Sequence, residues 1–344
     1  MRRILTLMIL LCLCPGTPWA ATSGVAYDIE IETSDFMKST SYYNLEHLTD
    51  VIAPEGAFGS INRAWNGTSP DWYIDEQRFG ADLIAGGIAK RNTAAIDKGL
   101  LVLRWGFKQQ QPDGGFSGRD AFHGAALFVE ASAHAVLLLK DSDYADTYGA
   151  VFKEFKPKLQ DAARWLMRPD IETKGKPDDA PYSHRRYLMA AALGQVGALL
   201  NNQDITLRAR DYAREGIKMQ SSSGYNLERG GWDSSYQATG MLYASRYYTI
   251  ATDPQLKTAL YNMLEKAAHW ETERIDMKGI VTPDDNTCIG AGAFEKDRTG
   301  KVKEIAVGDV YKAFYYWSRI SGNAKYEDLA RKIAQAAVQW HPAH

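Results

Sequence analysis

The segment 225–248, YNLERGGWDSSYQATGMLYASRYY, joins a polar loop to the start of a helix. Gly230 and Gly231 interrupt the chain, and Asp233 is followed by two serines, residue types that cap the first N–H groups of a helix. After the first turn, Ala, Gly and apolar residues occupy most positions up to Ile250. A helix without a polar face is covered by other elements on all sides. The segment therefore predicts an inner helix of an all-α fold.

Apolar residues at three- and four-residue spacing predict helices along most of the chain. They fall near residues 36–51, 73–90, 93–109, 120–140, 144–167, 182–200, 204–219, 233–251, 254–274, 306–320 and 323–340. Some of these helices are apolar nearly all round: 121–139, 187–200 and 237–250. Others carry a charged face: 144–167, 207–219, 256–274 and 326–340. Buried and amphipathic helices thus alternate along the sequence.

This alternation indicates a ring of inner helices wrapped by outer ones, because each helical hairpin then buries its apolar face against the next. We predict one all-α domain over residues 22–344, an (α/α) toroid or incomplete barrel of five to seven hairpins. Strand-like alternation at 279–281 and 302–307 predicts a minor β-hairpin. The loop 276–303 is expected either to lie over a cleft as a lid or to be a surface excursion.

A weak internal repeat supports the ring. The segment DGGFSGRDAFHGAALF at 113–128 resembles RGGWDSSYQATGML at 229–242, since each has two glycines, an aromatic residue and a polar stretch before a buried helix. Inner helices of a toroid run parallel, so their first turns lie at one end of the barrel. We therefore expect His123, His184 and Tyr236 to share one funnel.

Residues 1–21 predict a cleaved secretory signal, with Arg2 and Arg3 ahead of an apolar run and a small-residue cleavage site at Ala20 or Ala21. We expect a periplasmic or secreted protein without a membrane span. Two of the three cysteines lie in this signal, so Cys288 has no partner for an internal disulfide. Stability must then come from a large core.

The net charge argues against nucleic-acid binding. Loss of Arg2 and Arg3 takes the formal net charge from −2 to −4, so the protein as a whole does not attract polyanions. An anionic polysaccharide or oligosaccharide is still a plausible partner if arginines cluster in a cleft.

The loop-to-helix junction at 225–248 carries the most suggestive set of polar groups. Tyr236 and Gln237 fall in the first turn, with Arg229, Trp232 and Asp233 just before it. A positively polarised helix end with these groups suits an anionic, ring-shaped ligand such as a sugar acid. Each of these residues alone also has an ordinary structural explanation.

Two histidines begin predicted inner helices beside arginines. His123 follows Arg119, and His184 precedes Arg185. A helix N-terminus and a nearby guanidinium favour a neutral imidazole, which accepts a proton or donates a hydrogen bond. A structural role for either histidine is equally open. The sequence shows no HExxH, no cysteine pair, no EF-hand loop and no G-x-S-x-G elbow, so we predict no metal, no cofactor and no catalytic serine.

Two enzymatic schemes fit these residues. In β-elimination from a uronic-acid polymer, the carboxylate is neutralised, a base removes the C5 proton and an acid protonates the leaving oxygen; Arg229, His184 and Tyr236 supply such a set. Glycoside hydrolysis needs two carboxylates roughly 5 to 9.5 Å apart. We consider Asp233 as one carboxylate and Asp113, Asp75, Glu76 or Glu130 as the other. No pair stands out.

A signal peptide, paired helices with aromatic loops, His184 at an inner helix and the Arg229–Tyr236 segment resemble the α/α-toroid polysaccharide lyases of the alginate and glucuronan lyase kind. The resemblance implies Tyr236 as base or acid, His184 as base or partner of the neutralising group, and Arg229 as the carboxylate holder. The asparagine that often accompanies such a histidine is missing beside His184, and Asn226 is a possible substitute. The expected substrate contacts are Arg119, Arg185, Asn226, Trp232, Asp233, Gln237 and Trp72, with His123 as a further catalytic candidate.

A second resemblance lies at 109–118, QQQPDGGFSG, which is similar to the turns between hairpins of prenyltransferases and terpene cyclases. We interpret it as packing of one helix pair on the next. A non-catalytic protein that binds an exopolysaccharide or assists its assembly is the remaining alternative to a lyase or a hydrolase.

Overall fold

The computed structural model describes residues 30–40, 52–58, 73–118, 120–290, 292–293, 295–296 and 301–340. The predicted signal at 1–21 lies outside these residues, as do Arg119 and Trp72.

Helices account for most of the described chain. They are α1 (Asp35–Ser39), α2 (Tyr73–Glu76), α3 (Phe79–Lys90), α4 (Thr93–Lys108), α5 (Ala121–Asp141), α6 (Gly149–Leu166), α7 (Pro169–Asp179), α8 (Ser183–Leu200), α9 (Gln203–Lys218), α10 (Ser234–Ile250), α11 (Pro254–Thr272), α12 (Val307–Ser321) and α13 (Ala324–Trp340).

The inner ring consists of α3, α5, α8, α10 and α12, each packed on the next in that order. Each is followed in the chain by an amphipathic outer helix that packs on it: α4, α6, α9, α11 and α13 respectively. Inner helices are covered on every side, as in α8, where all but a few residues are buried. The fold is an α/α toroid, as predicted, with five hairpins in the described part of the chain.

Three local predictions differ from the structure. The helix expected at 73–90 is divided into α2 and α3, and α7 was not predicted because its sequence is polar and contains two prolines. Pro169 is tolerated since it sits in the first turn, where no N–H partner is needed. The predicted β-hairpin is wrong: Ile275 pairs with Val281 and Lys296 with Val302, each as an isolated bridge.

The segment 30–39 packs at the gap between α12 and α3, where it contacts both ends of the ring. Phe36 lies on Tyr311 and Tyr315, with ring centroids 6.1 and 4.5 Å apart. Glu32 is completely buried and lies 3.0 Å from the Lys312 ammonium and 3.4 Å from the Arg246 guanidinium. Buried charges are tolerated only when paired, so Glu32 ties this segment to the inner ring.

Helix α5 is the one described helix long and apolar enough to cross a membrane by length and composition, and 89% of that stretch is buried inside the protein. Its apolar surface is covered by α3, α6 and α8. A core helix of the toroid explains this composition.

Four turns of the chain share the same backbone hydrogen bond. In each, the first residue donates its N–H to the carbonyl four residues later, and a glycine at the fourth position has positive φ. The turns are 53–57, 111–115, 221–225 and 276–280, with glycines Gly56, Gly114, Gly224 and Gly279. The glycines of the repeat expected between 113–128 and 229–242 are therefore misaligned, because the partner of Gly114 is Gly224.

Gln110 and Gln220 extend this repeat. Each side-chain amide donates to the turn glycine and to a carbonyl of the next outer helix, Lys158 and Met263 respectively. The spacing G-x-K-x-Q-x-x-x-G at 106–114 recurs at 216–224. The turns bind one helical hairpin to the next, which confirms the packing interpretation of the segment 109–118.

Gly224→Ala is expected to destabilise the protein by at least about 1–3 kcal/mol, because φ is +105° and non-glycine residues are strained there. A Cβ at this position would lie 2.6 Å from the Lys266 carbonyl oxygen, which adds a steric cost. Thermal unfolding followed by circular dichroism measures the change. Gly149→Ala is the control, since nothing lies within 4 Å of its added Cβ; equal unfolding temperatures for both variants would contradict the packing role of this turn.

Glu271→Gln is expected to stabilise the protein at pH 7. The Glu271 side chain on α11 is completely buried, neither carboxyl oxygen has a hydrogen-bond partner among the described residues, and burial raises its pKa well above the usual value. The folded protein therefore keeps a proton that the unfolded chain releases above pH 4.5, so stability falls as pH rises, by up to about 1.4 kcal/mol per pH unit.

Denaturant unfolding between pH 4 and pH 8 tests this expectation. The stability gained from Glu271→Gln should grow as pH rises from the unfolded-state value and should be smallest near pH 4. Exposed Glu265 on the same helix provides the control variant Glu265→Gln. A gain that is independent of pH would show that Glu271 does not stay protonated in the folded protein.

Candidate functional site

The first turns of α5, α8 and α10 meet at one end of the barrel. The His123 and His184 rings lie edge to face with centroids 6.5 Å apart, and the Tyr236 ring stacks on His184 at 4.2 Å with an interplanar angle of 12°. The structure thus brings together the three side chains that were predicted to share one funnel.

Carboxylates at the helix ends fix these positions. Asp120 caps α5 by accepting from the His123 N–H at 3.2 Å, and Asp233 caps α10 by accepting from the Tyr236 N–H at 3.0 Å. His123 and Tyr236 therefore occupy the same place relative to their caps. No capping side chain lies within α8 itself, and Glu228 from the loop before α10 accepts from the His184 N–H at 2.9 Å instead.

Glu228 is a site residue that the sequence reasoning missed. Its carboxylate is completely buried, accepts from the Ser183 hydroxyl at 2.7 Å and lies 2.8 Å from His184 Nδ1. A carboxylate accepts only, so Nδ1 carries the proton and Nε2 is left with its lone pair. Nε2 hydrogen-bonds to none of the described residues, so it is available to take a proton.

The loop before α10 reaches His184 because its backbone pairs with the start of α8. The Ser183 N–H donates to the Leu227 carbonyl and the Arg229 N–H to the Pro181 carbonyl. Glu228 was not singled out from the sequence, although it stands next to Arg229. Its proximity to the predicted arginine was the only signal available.

The Tyr236 hydroxyl lies between two charged groups. It donates to Glu295 Oε2 at 2.5 Å and accepts from the Lys303 ammonium at 2.8 Å, and that ammonium lies 3.2 Å from Glu295. Burial, followed by the Glu295 carboxylate, raises the pKa of Tyr236. The phenol is therefore protonated and able to donate. Neither Glu295 nor Lys303 was predicted as a site residue.

His123 is a neutral imidazole. Burial lowers its pKa well below the usual value, and the positive charges of Arg185 and Arg78 act in the same direction. Arg185 is itself held by Asp120 at 3.0 Å and Asp179 at 2.7 Å. We interpret Arg185 as a residue that forms internal ion pairs and positions the funnel wall.

Two predicted substrate contacts have other roles. Asp233 is completely buried; besides capping α10, it accepts from the N–H groups of Cys288 at 3.0 Å and Ile289 at 2.8 Å. Gln237 is also completely buried and accepts from the Asn226 N–H at 2.8 Å. Both side chains thus have partners inside the protein, and their contact with a substrate stays a prediction.

The remaining predicted contacts vary in exposure. Asn226 is buried, with no hydrogen-bond partner for its side-chain amide among the described residues. Trp232 packs with Tyr225 and Trp270 under the Arg274 guanidinium. Arg229 is exposed and adopts a left-handed backbone with φ of 51°, which directs the loop across the start of α8. Of these, Arg229 is the one exposed beside the funnel.

Three of the carboxylates considered for hydrolysis have separate partners. Asp113 accepts from the Trp165 indole and pairs with Arg168, near the end of α6. Glu130 pairs with Arg246 inside the barrel. Since Asp233 is occupied as well, the structure does not bring these residues together as a pair of free carboxylates.

A cavity of about 410 Å³ lies elsewhere, beside α7. Pro169, Glu172, Lys176 and Arg186 are among its lining residues, and none of the funnel histidines or Tyr236 belongs to it. Across the described ranges, no three His, Cys, Asp or Glu side chains are placed to hold a metal ion.

No protein-family model matches the chain, and a search of curated proteins found no match. Among solved structures, a variant of the chondroitin AC lyase of Streptomyces coelicolor A3 superposes with a TM-score of 0.55 at 14% identity, covering 89% of this chain and 44% of the lyase. A D-mannose isomerase superposes with a TM-score of 0.50 at 12% identity, covering 88% of this chain and 86% of the isomerase. The chain thus spans less than half the length of the lyase. These likenesses confirm the α/α-toroid fold.

Proposed function

We propose that this protein is a carbohydrate-active enzyme, and that it is a polysaccharide lyase cleaving an anionic, uronic-acid-containing glycan by β-elimination. The observation that carries the proposal is the stacking of Tyr236 on a histidine whose Nδ1 is held by the buried Glu228. This arrangement places a proton acceptor and a proton donor side by side. The fold shared with a chondroitin AC lyase supports it.

The two side chains divide the proton transfers. His184 Nε2 accepts the C5 proton of the uronate, the electron pair forms the C4–C5 double bond, the C4–O4 bond breaks, and the Tyr236 hydroxyl donates its proton to the leaving oxygen. Glu228 stabilises the imidazolium that forms. The raised pKa of Tyr236 keeps its hydroxyl protonated, so Tyr236 is not the base in this scheme.

Cationic side chains around the funnel support the proposal of an anionic substrate. Arg78 and Lys303 act on His123 electrostatically, and Arg229 acts on the adjacent Tyr182. These groups would attract an anionic substrate to the funnel and favour loss of the C5 proton. With a predicted signal at 1–21, we also propose that the protein works in the periplasm or outside the cell.

Incubation of the purified protein with alginate, polyglucuronate, pectate and chondroitin tests the proposal. Elimination creates an unsaturated uronide, so ultraviolet absorbance rises as chains are cut. New reducing ends without absorbance would indicate glycoside hydrolysis and overturn the elimination scheme. Binding without any cleavage would favour the exopolysaccharide-binding alternative.

The histidine pair favours a second candidate function. The His123 and His184 rings lie edge to face with centroids 6.5 Å apart. Two neighbouring imidazoles could exchange protons with adjacent carbons of one sugar, as aldose–ketose isomerisation requires. The D-mannose isomerase also resembles this chain over 86% of its own length. Proton NMR of free mannose, fructose and glucose incubated with the protein distinguishes this function from elimination.

A further inference from the structure

The position next to the Tyr236 hydroxyl is occupied by a carboxylate of the protein itself. Glu295 Oε2 accepts from Tyr236 at 2.5 Å and lies 3.2 Å from the Lys303 ammonium, which in turn donates to Tyr236. A carboxylate, an ammonium and the proposed acid therefore form a closed triangle. β-Elimination needs the carboxylate of its substrate close to a cation and close to the acid.

Backbone hydrogen bonds hold both residues of this pair. The Lys303 N–H donates to the Glu295 carbonyl at 3.2 Å, and the Glu295 N–H donates to the Cys288 carbonyl at 3.1 Å. The Lys303 carbonyl accepts from the Gly290 N–H at 3.0 Å, and the neighbouring Ile289 is fixed to Asp233. On the other side, the Ala306 N–H donates to the Ser235 hydroxyl at 3.0 Å. Both flanks of Lys303 are thus anchored to the start of α10.

The side chains differ in accessibility. That of Lys303 is 41% exposed, whereas that of Glu295 is 19% exposed. Lys303 can therefore accept a second anion from solvent, and rotation of one glutamate side chain would free both Lys303 and the Tyr236 hydroxyl. That rotation breaks the contacts of Glu295 with Lys303 and with the Tyr236 hydroxyl, and the contact of Lys303 with a substrate carboxylate replaces the first of them.

We propose that Lys303 is the residue that binds the substrate carboxylate, and that Glu295 occupies this subsite as an internal substitute until a uronate displaces it. The ligand class is a sugar carboxylate, and the inference rests on the proposed function. Lys303 would then be the group that neutralises the substrate carboxylate, in place of the asparagine that is missing beside His184.

Equilibrium binding of glucuronate, mannuronate and galacturonate, with glucose as the neutral probe, tests the subsite without relying on turnover. Glu295→Gln should tighten uronate binding about tenfold, equivalent to about 1.4 kcal/mol, because the competing anion is removed. Lys303→Met should weaken it by a similar factor. Glucose should bind equally to all variants. NMR titration measures each dissociation constant.

Matched controls come from the same segment. Exposed Glu304 and Lys296 provide Glu304→Gln and Lys296→Met, which remove the same charges away from Tyr236. Equal uronate affinity in Glu295→Gln and Glu304→Gln would overturn the role of Glu295 as a substitute. Equal affinity in Lys303→Met and Lys296→Met would overturn the role of Lys303.

The subsite and the lyase proposal fail in different ways. Uronate binding that depends on Lys303, with no unsaturated product from any polyuronate, would leave the subsite standing and reject the lyase. If Lys303→Met forms ultraviolet-absorbing products with the same KM and kcat as the unmodified protein, the lyase is confirmed and the subsite is rejected.

Discussion

Tyr236→Phe is expected to lower kcat by about 10²–10⁴-fold, the usual contribution of a positioned proton donor. Phenylalanine keeps the ring that stacks on His184 at 4.2 Å and removes only the hydroxyl. Glu295 and Lys303 retain their mutual contact, so folding should be preserved. Initial rates of unsaturated uronide formation, with thermal unfolding measured in parallel, give both quantities.

Tyr182→Phe is the matched control for this loss. The Tyr182 ring lies 5.6 Å from His184 and 6.3 Å from Tyr236, so it shares the funnel. In the described part of the chain, the hydrogen bond to Glu295 comes from the Tyr236 hydroxyl. Its removal should change kcat by much less than tenfold. Similar losses in both variants would show that the site needs aromatic hydroxyls for local packing and not for proton transfer.

Glu228→Gln should lower kcat by a comparable factor, about 10²–10⁴-fold, because it changes the tautomer of His184. The carboxylate accepts from Nδ1–H at 2.8 Å, whereas a glutamine amide can donate to Nδ1 and shift the proton to Nε2. An imidazole with Nε2 protonated cannot act as the base. Steady-state kinetics and nitrogen-detected NMR of the His184 ring test the two parts of this expectation.

Glu273→Gln is the control, because it also replaces a glutamate that lies beside a histidine. Glu273 lies 3.7 Å from His269, and both side chains are exposed on the surface. Its kcat should equal that of the unmodified protein. Full activity of Glu228→Gln with an Nε2-protonated His184 would reject the proposed base.

The sequence allowed the fold to be predicted because burial leaves a direct mark on composition. Helix α8 has almost no polar face and α9 has a clear one, and that contrast repeats around the ring. Helix ends followed from local chemistry as well, since Asp233 accepts from the Tyr236 N–H as its position suggested. From parallel inner helices alone, His123, His184 and Tyr236 were expected at one end.

Other parts of the site depended on contacts between residues far apart in the chain. Glu228 lies 44 residues from His184, and Glu295 lies 59 residues from Tyr236. Neither separation follows a helical period or a motif. The sequence also did not show that Asp233 accepts from the N–H groups of Cys288 and Ile289, which lie more than 50 residues away.

By itself, the sequence determined the alternation of inner and outer helices, their approximate ends and the presence of two histidines and a tyrosine at helix starts. These features depend on hydrophobic periodicity and on capping within a few residues. Only the tertiary structure decided that Glu228 orients His184 and that Glu295 and Lys303 surround the Tyr236 hydroxyl. The physical reason is that hydrogen bonds and ion pairs between loops depend on how the helices are packed, and no local pattern encodes that geometry.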